Sequence, residues 1–179
     1  MANLETAILG GGCFWCLEAV FDRLSGVTSV ESGYAGGKIE NPTYRQVCTG
    51  TTDHVEVVRV TFDPAQLSYR ELLEVFFTVH DPTTLNRQGN DVGTQYRSVI
   101  YYTSEEQRRE ADQMTAQLNA ERAWPNPIVT TVEPAPKFYV AEDYHQEYFV
   151  NNASQPYCQL VVDPKVKKFQ QKFAEKMKA

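Results

Sequence analysis

Cys13 and Cys16 stand at a C-x-x-C spacing within Gly10-Gly11-Gly12-Cys13-Phe14-Trp15-Cys16. Residues i and i+3 share one face of a helix, so Cys16 can reach Cys13. The run Thr6-Ala7-Ile8-Leu9 precedes this stretch and Leu17 to Leu24 follows it, which predicts a strand, a tight glycine turn and a helix with Cys13 at or just before its first turn. Unpaired N–H groups at a helix start favour a thiolate, so Cys13 reads as a nucleophile. Two other readings stay open: small buried hydrophobes, and a dithiol that exchanges with disulfides as in thioredoxin-like motifs. Zinc would need four ligands at workable spacing, whereas Cys48 and Cys158 are single and distant and no H-x-x-x-H follows. No metal site is expected.

Glu56 is the second chemical candidate. On an extended chain His54, Glu56, Val58, Val60 and Phe62 share one face, with Val55, Val57, Arg59 and Thr61 on the other. A carboxyl in line with Val58, Val60 and Phe62 is expected to be buried. Burial raises its pKa and keeps a proton on it near neutral pH, as a general acid requires. The alternative is a strand-end glutamate facing water. Phe14 and Trp15 offer an apolar wall with affinity for methyl and sulfur groups. Tyr44 and Tyr96 lie in two long polar loops, 35–53 and 81–96, from which either could present a hydroxyl to a site. Asp91 reads by default as a turn residue.

The chain that must position these groups has 179 residues, 42% hydrophobic and 22% charged, with a formal net charge of −6. Such a length suits one domain with a substantial core. The acidic balance and lack of a basic stripe argue against nucleic acid as a partner. No apolar run is long enough to span a membrane, and the N-terminus lacks the pattern of an export signal. A cytoplasmic protein with reduced thiols is therefore expected.

Alternating and helical periodicities predict strands at 27–34, 54–62, 98–102 and 128–132. Helices are predicted at 68–80, opened by a Ser68/Glu71 capping box, and at 104–122, 143–150 and 165–178. The order through Tyr102 is β-α-β-β-α-β. The expected fold is α+β: a two-layer split βαβ (ferredoxin-like) core with helices on one face, and additional C-terminal segments wrapped around it. One catalytic domain, 1–179, is expected, with its core at about 4–134 and its wrap at about 135–179.

Taken together, the chemical stretches resemble the A-class peptide methionine sulfoxide reductases. The matching pieces are Gly11-Gly12-Cys13-Phe14-Trp15-Cys16, Gly33-Tyr34-Ala35-Gly36-Gly37, Asn41-Pro42-Thr43-Tyr44 and His54-Val55-Glu56-Val57-Val58. Gly89 to Ser98 and Glu142-Asp143-Tyr144-His145-Gln146 complete a series in family order, from about Ala7 to Cys158.

The resemblance implies reduction of methionine S-sulfoxide, free or within proteins, to methionine, a repair reaction whose two sulfoxide epimers have separate enzymes. It makes Cys13 the nucleophile, Phe14 and Trp15 the pocket for the S-methyl group, and Glu56 the acid beside the sulfoxide oxygen. Tyr44 and Tyr96 become donors to that oxygen, and Asp91 a carboxylate that helps hold the substrate. Cys13 would emerge as a sulfenic acid, and a second thiol would close a disulfide recycled by thioredoxin or a similar dithiol. For that second thiol the resemblance favours Cys158, with Cys16 as the alternative. Cys48 has no family role. Asp53 stands where the family usually has glycine before His54. No organic cofactor is implied, and a monomer is expected. The competing function is a thiol-disulfide oxidoreductase using Cys13 and Cys16.

Overall fold

The computed structural model describes residues 3–89, 91–152 and 154–177. Its elements are β1 (Glu5–Gly11), α1 (Phe14–Phe21), β2 (Val27–Ala35), α2 (Tyr44–Cys48), β3 (Val55–Phe62), α3 (Tyr69–Val79), β4 (Arg87–Gln88), β5 (Asp91–Val92), β6 (Ser98–Tyr102), α4 (Glu105–Ala120), β7 (Thr131–Pro134), β8 (Phe138–Val140), α5 (Tyr148–Asn152) and α6 (Asp163–Lys172). The fold is mixed α and β. Six strands form one sheet in the order β7-β6-β1-β3-β2-β8, with β4 and β5 as a separate pair. The β6–β7 pair is parallel, and the other pairs in the large sheet are antiparallel.

Alternation along the strands assigns the two faces. Ala7, Leu9, Val58, Val60, Phe62 and Ile100 pack with α1, α3, α4 and α6 in the main core. Ile8, Val55, Val57, Val99 and Tyr101 form a smaller cluster on the reverse face, covered in part by Phe138. In the β2–β3 register Glu56 lies opposite Tyr34 and Val58 opposite Ser32, so the strand presents Glu56 to the same side as the helices. Gly12, at φ +95°, makes the turn from β1 into α1, a conformation that excludes most side chains.

Several boundaries differ from the sequence expectation, each for a local reason. The 35–53 loop holds α2, whose N-terminus carries a complete Thr43/Gln46 capping box. The strand expected at 128–132 forms instead at Thr131–Pro134. The amide of Ile128 donates to Asn119 Oδ1 (3.0 Å) and that of Val129 to the Pro82 carbonyl (2.8 Å), so neither is free for the sheet. The helix expected at 143–150 is a 3₁₀ turn, Asp143–His145, followed by α5, with Glu147 breaking the run at φ +53°. The last helix ends at Lys172, where Phe173 leaves helical geometry and its ring packs on Phe169; the expected end at Lys178 lies outside the described residues. Asp53 adopts φ +63°, the backbone region that glycine occupies without strain. It is held there by Lys38 (Nζ–Oδ2 2.9 Å) and by Arg97, which donates to its carbonyl.

Candidate active site

Cys13 is the N-cap of α1, in extended geometry and without a side-chain capping bond. The Cys16 amide donates to the Cys13 carbonyl at 3.1 Å. An i to i+3 bond of this kind tightens the first turn and brings the two side chains nearly into line. Both thiols are free and buried, and they are hydrogen-bonded to each other. Burial, then the bond to Cys16, then the Glu56 charge push the Cys13 thiol well above its usual range, while a hydrogen bond with Tyr157 pulls the other way. Accepting from Cys13 brings Cys16 down against the effect of burial, helped by Lys165. The resting nucleophile is therefore held as a thiol, because burial outweighs the helix terminus expected to ionise it.

Glu56 is 1% exposed. Its Oε1 accepts from the Phe14 amide at 3.2 Å, the first helical N–H after the nucleophile. Its Oε2 is buried with no partner. Burial raises its pKa to about 8, against a smaller lowering by the Phe14 amide, so the carboxyl carries a proton at neutral pH. A buried acid with one unpartnered oxygen is ready to meet a polar group that is not part of the protein.

A cavity of about 390 Å³ is lined by Cys13, Trp15, Tyr44, Asp91, Tyr96, Tyr148 and Tyr157 among others. Phe14 is fully buried and packs on Tyr34 and Tyr44, with centroids at 5.6 and 6.3 Å. Trp15 stacks on Tyr148 at 3.8 Å. Burial, followed by the Glu56 charge, pushes the Tyr44 and Tyr96 hydroxyls above their ordinary range, keeping both as donors. Asp91 accepts from the Tyr157 hydroxyl at 2.6 Å. Asn90, within the sequence piece containing Asp91, lies outside the described residues.

The structure thus brings Cys13, Phe14, Trp15, Tyr44, Glu56, Asp91 and Tyr96 to one place. Cys158 is fully buried at the start of a π-helical turn, Cys158–Val162, and the nearby thiol that acts on it is Cys16. Cys48 is exposed and hydrogen-bonded to Tyr44 at the edge of the site.

Other residues in the site carry no separate signal in the local sequence. Glu142 accepts from the Tyr34 hydroxyl (2.9 Å) and the Tyr44 amide (3.0 Å), fixing the start of α2 over Phe14. His145 is fully buried, and its Nδ1 accepts from the Trp15 indole at 3.0 Å. Tyr157 meets Trp15 edge-on at 5.6 Å. Only the Glu142 to Gln146 piece of the family resemblance pointed toward two of these three. His54 closes the loop: it accepts from the Gly37 amide through Nδ1 (3.1 Å) and bonds the Ile39 carbonyl through Nε2 (2.7 Å).

The family model described as peptide methionine sulfoxide reductase matches residues 5–177. A peptide methionine sulfoxide reductase MsrA from Chromobacterium violaceum is 59% identical over 171 residues, covering 96% of this chain and 97% of that relative. Reduced Mxr1 from Saccharomyces cerevisiae superposes with a TM-score of 0.80 at 36% identity, covering 87% of this chain and 90% of the other. Mxr1 in complex with Trx2 matches with a TM-score of 0.56 at 26% identity, covering 82% and 85% respectively.

Proposed function

Because the chain belongs to the peptide methionine sulfoxide reductase family, we propose that the Cys13 cavity reduces the S epimer of methionine sulfoxide, with Glu56 as the acid. The observation that carries this reading is the protonated Glu56 carboxyl, whose free Oε2 lies buried beside the thiol-bearing helix start.

A sulfoxide sulfur is electrophilic only to the extent that its oxygen is neutralised. Glu56 gives its proton to that oxygen, and Tyr44 and Tyr96 donate hydrogen bonds as charge redistributes there. Cys13 loses its thiol proton as its sulfur attacks. The S–O bond breaks, methionine leaves, and the oxygen remains on Cys13 as a sulfenic acid. The thiol proton restores Glu56, so sulfoxide plus thiol becomes thioether plus sulfenic acid with all atoms accounted for. Phe14 and Trp15 form the apolar wall that receives the S-methyl group, and Asp91 holds the polar part of the substrate. Free methionine sulfoxide and oxidised proteins both present this group.

A protein thiol then closes a disulfide with the loss of water, and a thioredoxin-type dithiol reduces it by exchange. The Trx2-bound relative supports such a partner. The strand sequence β6-β1-β3-β2, all antiparallel and crossed by α1 and α3, supports a split βαβ core. We read 1–179 as one catalytic domain, monomeric and cytoplasmic.

The test is a single-turnover reaction of the reduced protein with separated sulfoxide epimers. Methionine should form from the S epimer and not from the R epimer, and Cys13→Ser should form none. A protein that instead reduces insulin and ignores methionine sulfoxide would be the thiol-disulfide oxidoreductase of the competing reading.

A further inference from the structure

We propose that Glu18 is a positioning residue for the methyl pocket: its side chain holds the start of α5 and so keeps the Tyr148 ring flat against Trp15. This rests on the reductase reading above and deepens it by naming what shapes the wall that receives the S-methyl group.

Glu18 is a buried titratable group that the reduction step does not use. It is 3% exposed, and none of the ion pairs among the described residues includes it. Burying a carboxyl without a cation is costly unless hydrogen bonds replace the lost water. For Glu18 those bonds come from two sides. From β2 the Ser32 hydroxyl donates to its Oε2 at 3.3 Å. From the other side the backbone amides of Glu147 and Tyr148 donate to it. Burial pushes the Glu18 carboxyl up to about 7, and these three donors keep it from rising further.

The start of α5 needs such a partner. The helix has five residues, and none of them is buried. A helix this short is not stable by itself in water. Glu147, just before it, sits at φ +53°, a region that costs a non-glycine residue energy. Glu18 answers both problems by accepting from the two amides at this turn.

Its place on α1 ties the turn to the site. Trp15 and Glu18 are three residues apart on α1, so they share one face of it. The chain at α5 meets that face at two points. Its backbone rests on Glu18, and the Tyr148 ring rests on Trp15, with centroids 3.8 Å apart and planes 9° from parallel. Ser32 holds the residue upstream as well: Gln146 accepts from the Ser32 amide at 2.9 Å and donates to its carbonyl at 3.0 Å. Trp15 and Tyr148 both line the substrate cavity. Without the Glu18 carboxyl, Tyr148 loses its fixed place and Trp15 loses the ring stacked on it.

Glu18 makes and breaks no bond in the reaction. Its removal weakens the hold on the methyl group equally before and during sulfur attack, which raises the half-saturating substrate concentration and spares the limiting rate. The full-length reduced protein is therefore mixed with increasing methionine S-sulfoxide in single turnover, and the two quantities are read separately.

Glu18→Ala should raise half-saturation about 10-fold and leave the limiting rate within about 2-fold. Glu18→Gln, whose side-chain carbonyl still accepts from an amide, should recover most of the wild-type value. Tyr148→Ala should raise half-saturation by a similar factor. The double variant should exceed neither single one, because both remove the same contact. The proposal is overturned if Glu18→Ala leaves half-saturation unmoved, or if the two factors multiply in the double variant. Hydrogen exchange of the wild type needs no variant to fold: protection is expected at the Glu147 and Tyr148 amides, and free exchange at both overturns the proposal. Methionine from none of the proteins, wild type included, overturns the reductase reading and this one with it, whereas an active wild type with unmoved variants overturns this one alone.

Discussion

Replacing Glu56 by Gln should cost activity and add stability, and both effects follow from the same burial. The ordinary carboxyl value is 4.5, and in the folded protein it is about 8. Between these two pH values the folded state binds more protons at this site than the unfolded state. Stability must therefore fall as pH rises through the window. The slope is about 1.4 kcal/mol per pH unit, which gives about 3 kcal/mol at pH 7 and an upper limit of about 5 kcal/mol by pH 8.

Gln keeps the shape and can still accept from the Phe14 amide, but it does not ionise, so the variant escapes this loss. Glu18, raised to about 7 mainly by burial, acts in the same direction in both proteins and cancels in the difference. The assay is urea unfolding of reduced wild type and Glu56→Gln at pH 5 and pH 8, alongside single-turnover rates. The variant's advantage should be small at pH 5 and grow by a few kcal/mol at pH 8, while the reduction step slows by about 10²- to 10⁴-fold. A stability difference that stays flat with pH, or a variant that reduces sulfoxide at the wild-type rate, refutes the assignment of Glu56 as a buried, protonated acid.

Three further outcomes are expected. Tyr44→Phe and Tyr96→Phe should each lower kcat/KM by about 10- to 100-fold, since each removes a preorganised donor; rates unchanged in both would place the hydroxyls away from the sulfoxide oxygen. Trp15→Ala should relax discrimination between methionine sulfoxide and its S-ethyl homologue, which a tight methyl pocket separates by about 1–3 kcal/mol; competition between the two substrates measures it. Glu142→Ala should destabilise the fold by about 2 kcal/mol in urea unfolding, because it strands the Tyr34 hydroxyl and the Tyr44 amide. It should also lower turnover through the displaced Tyr44.

The centre of the fold and of the site was legible because it depends on local rules. The strand-glycine-helix step around Cys13 and the facing of Glu56 follow from periodicity, and the Ser68 capping box formed as expected. What escaped depends on partners far along the chain. His145 reaches Trp15 across 130 positions, and Tyr157 reaches Asp91 across 66; neither spacing leaves a local pattern. The ionisation of Cys13 was misjudged for a related reason. The helix terminus is visible in the sequence, whereas the burial that outweighs it is created by segments arriving from 142–158. The displaced β7 has the same origin, since the Pro82 carbonyl and the Asn119 side chain claim amides that periodicity assigned to the sheet.

The central claim is that Cys13 takes the sulfoxide oxygen. Its most direct measurement is made on a Cys16→Ser/Cys158→Ser protein, reduced and then mixed with methionine S-sulfoxide and a sulfenic-acid probe. The account predicts one product pair, methionine in the solution and the probe on Cys13, absent with the R epimer. Methionine formed without labelling of Cys13, or label found on another residue, would contradict it.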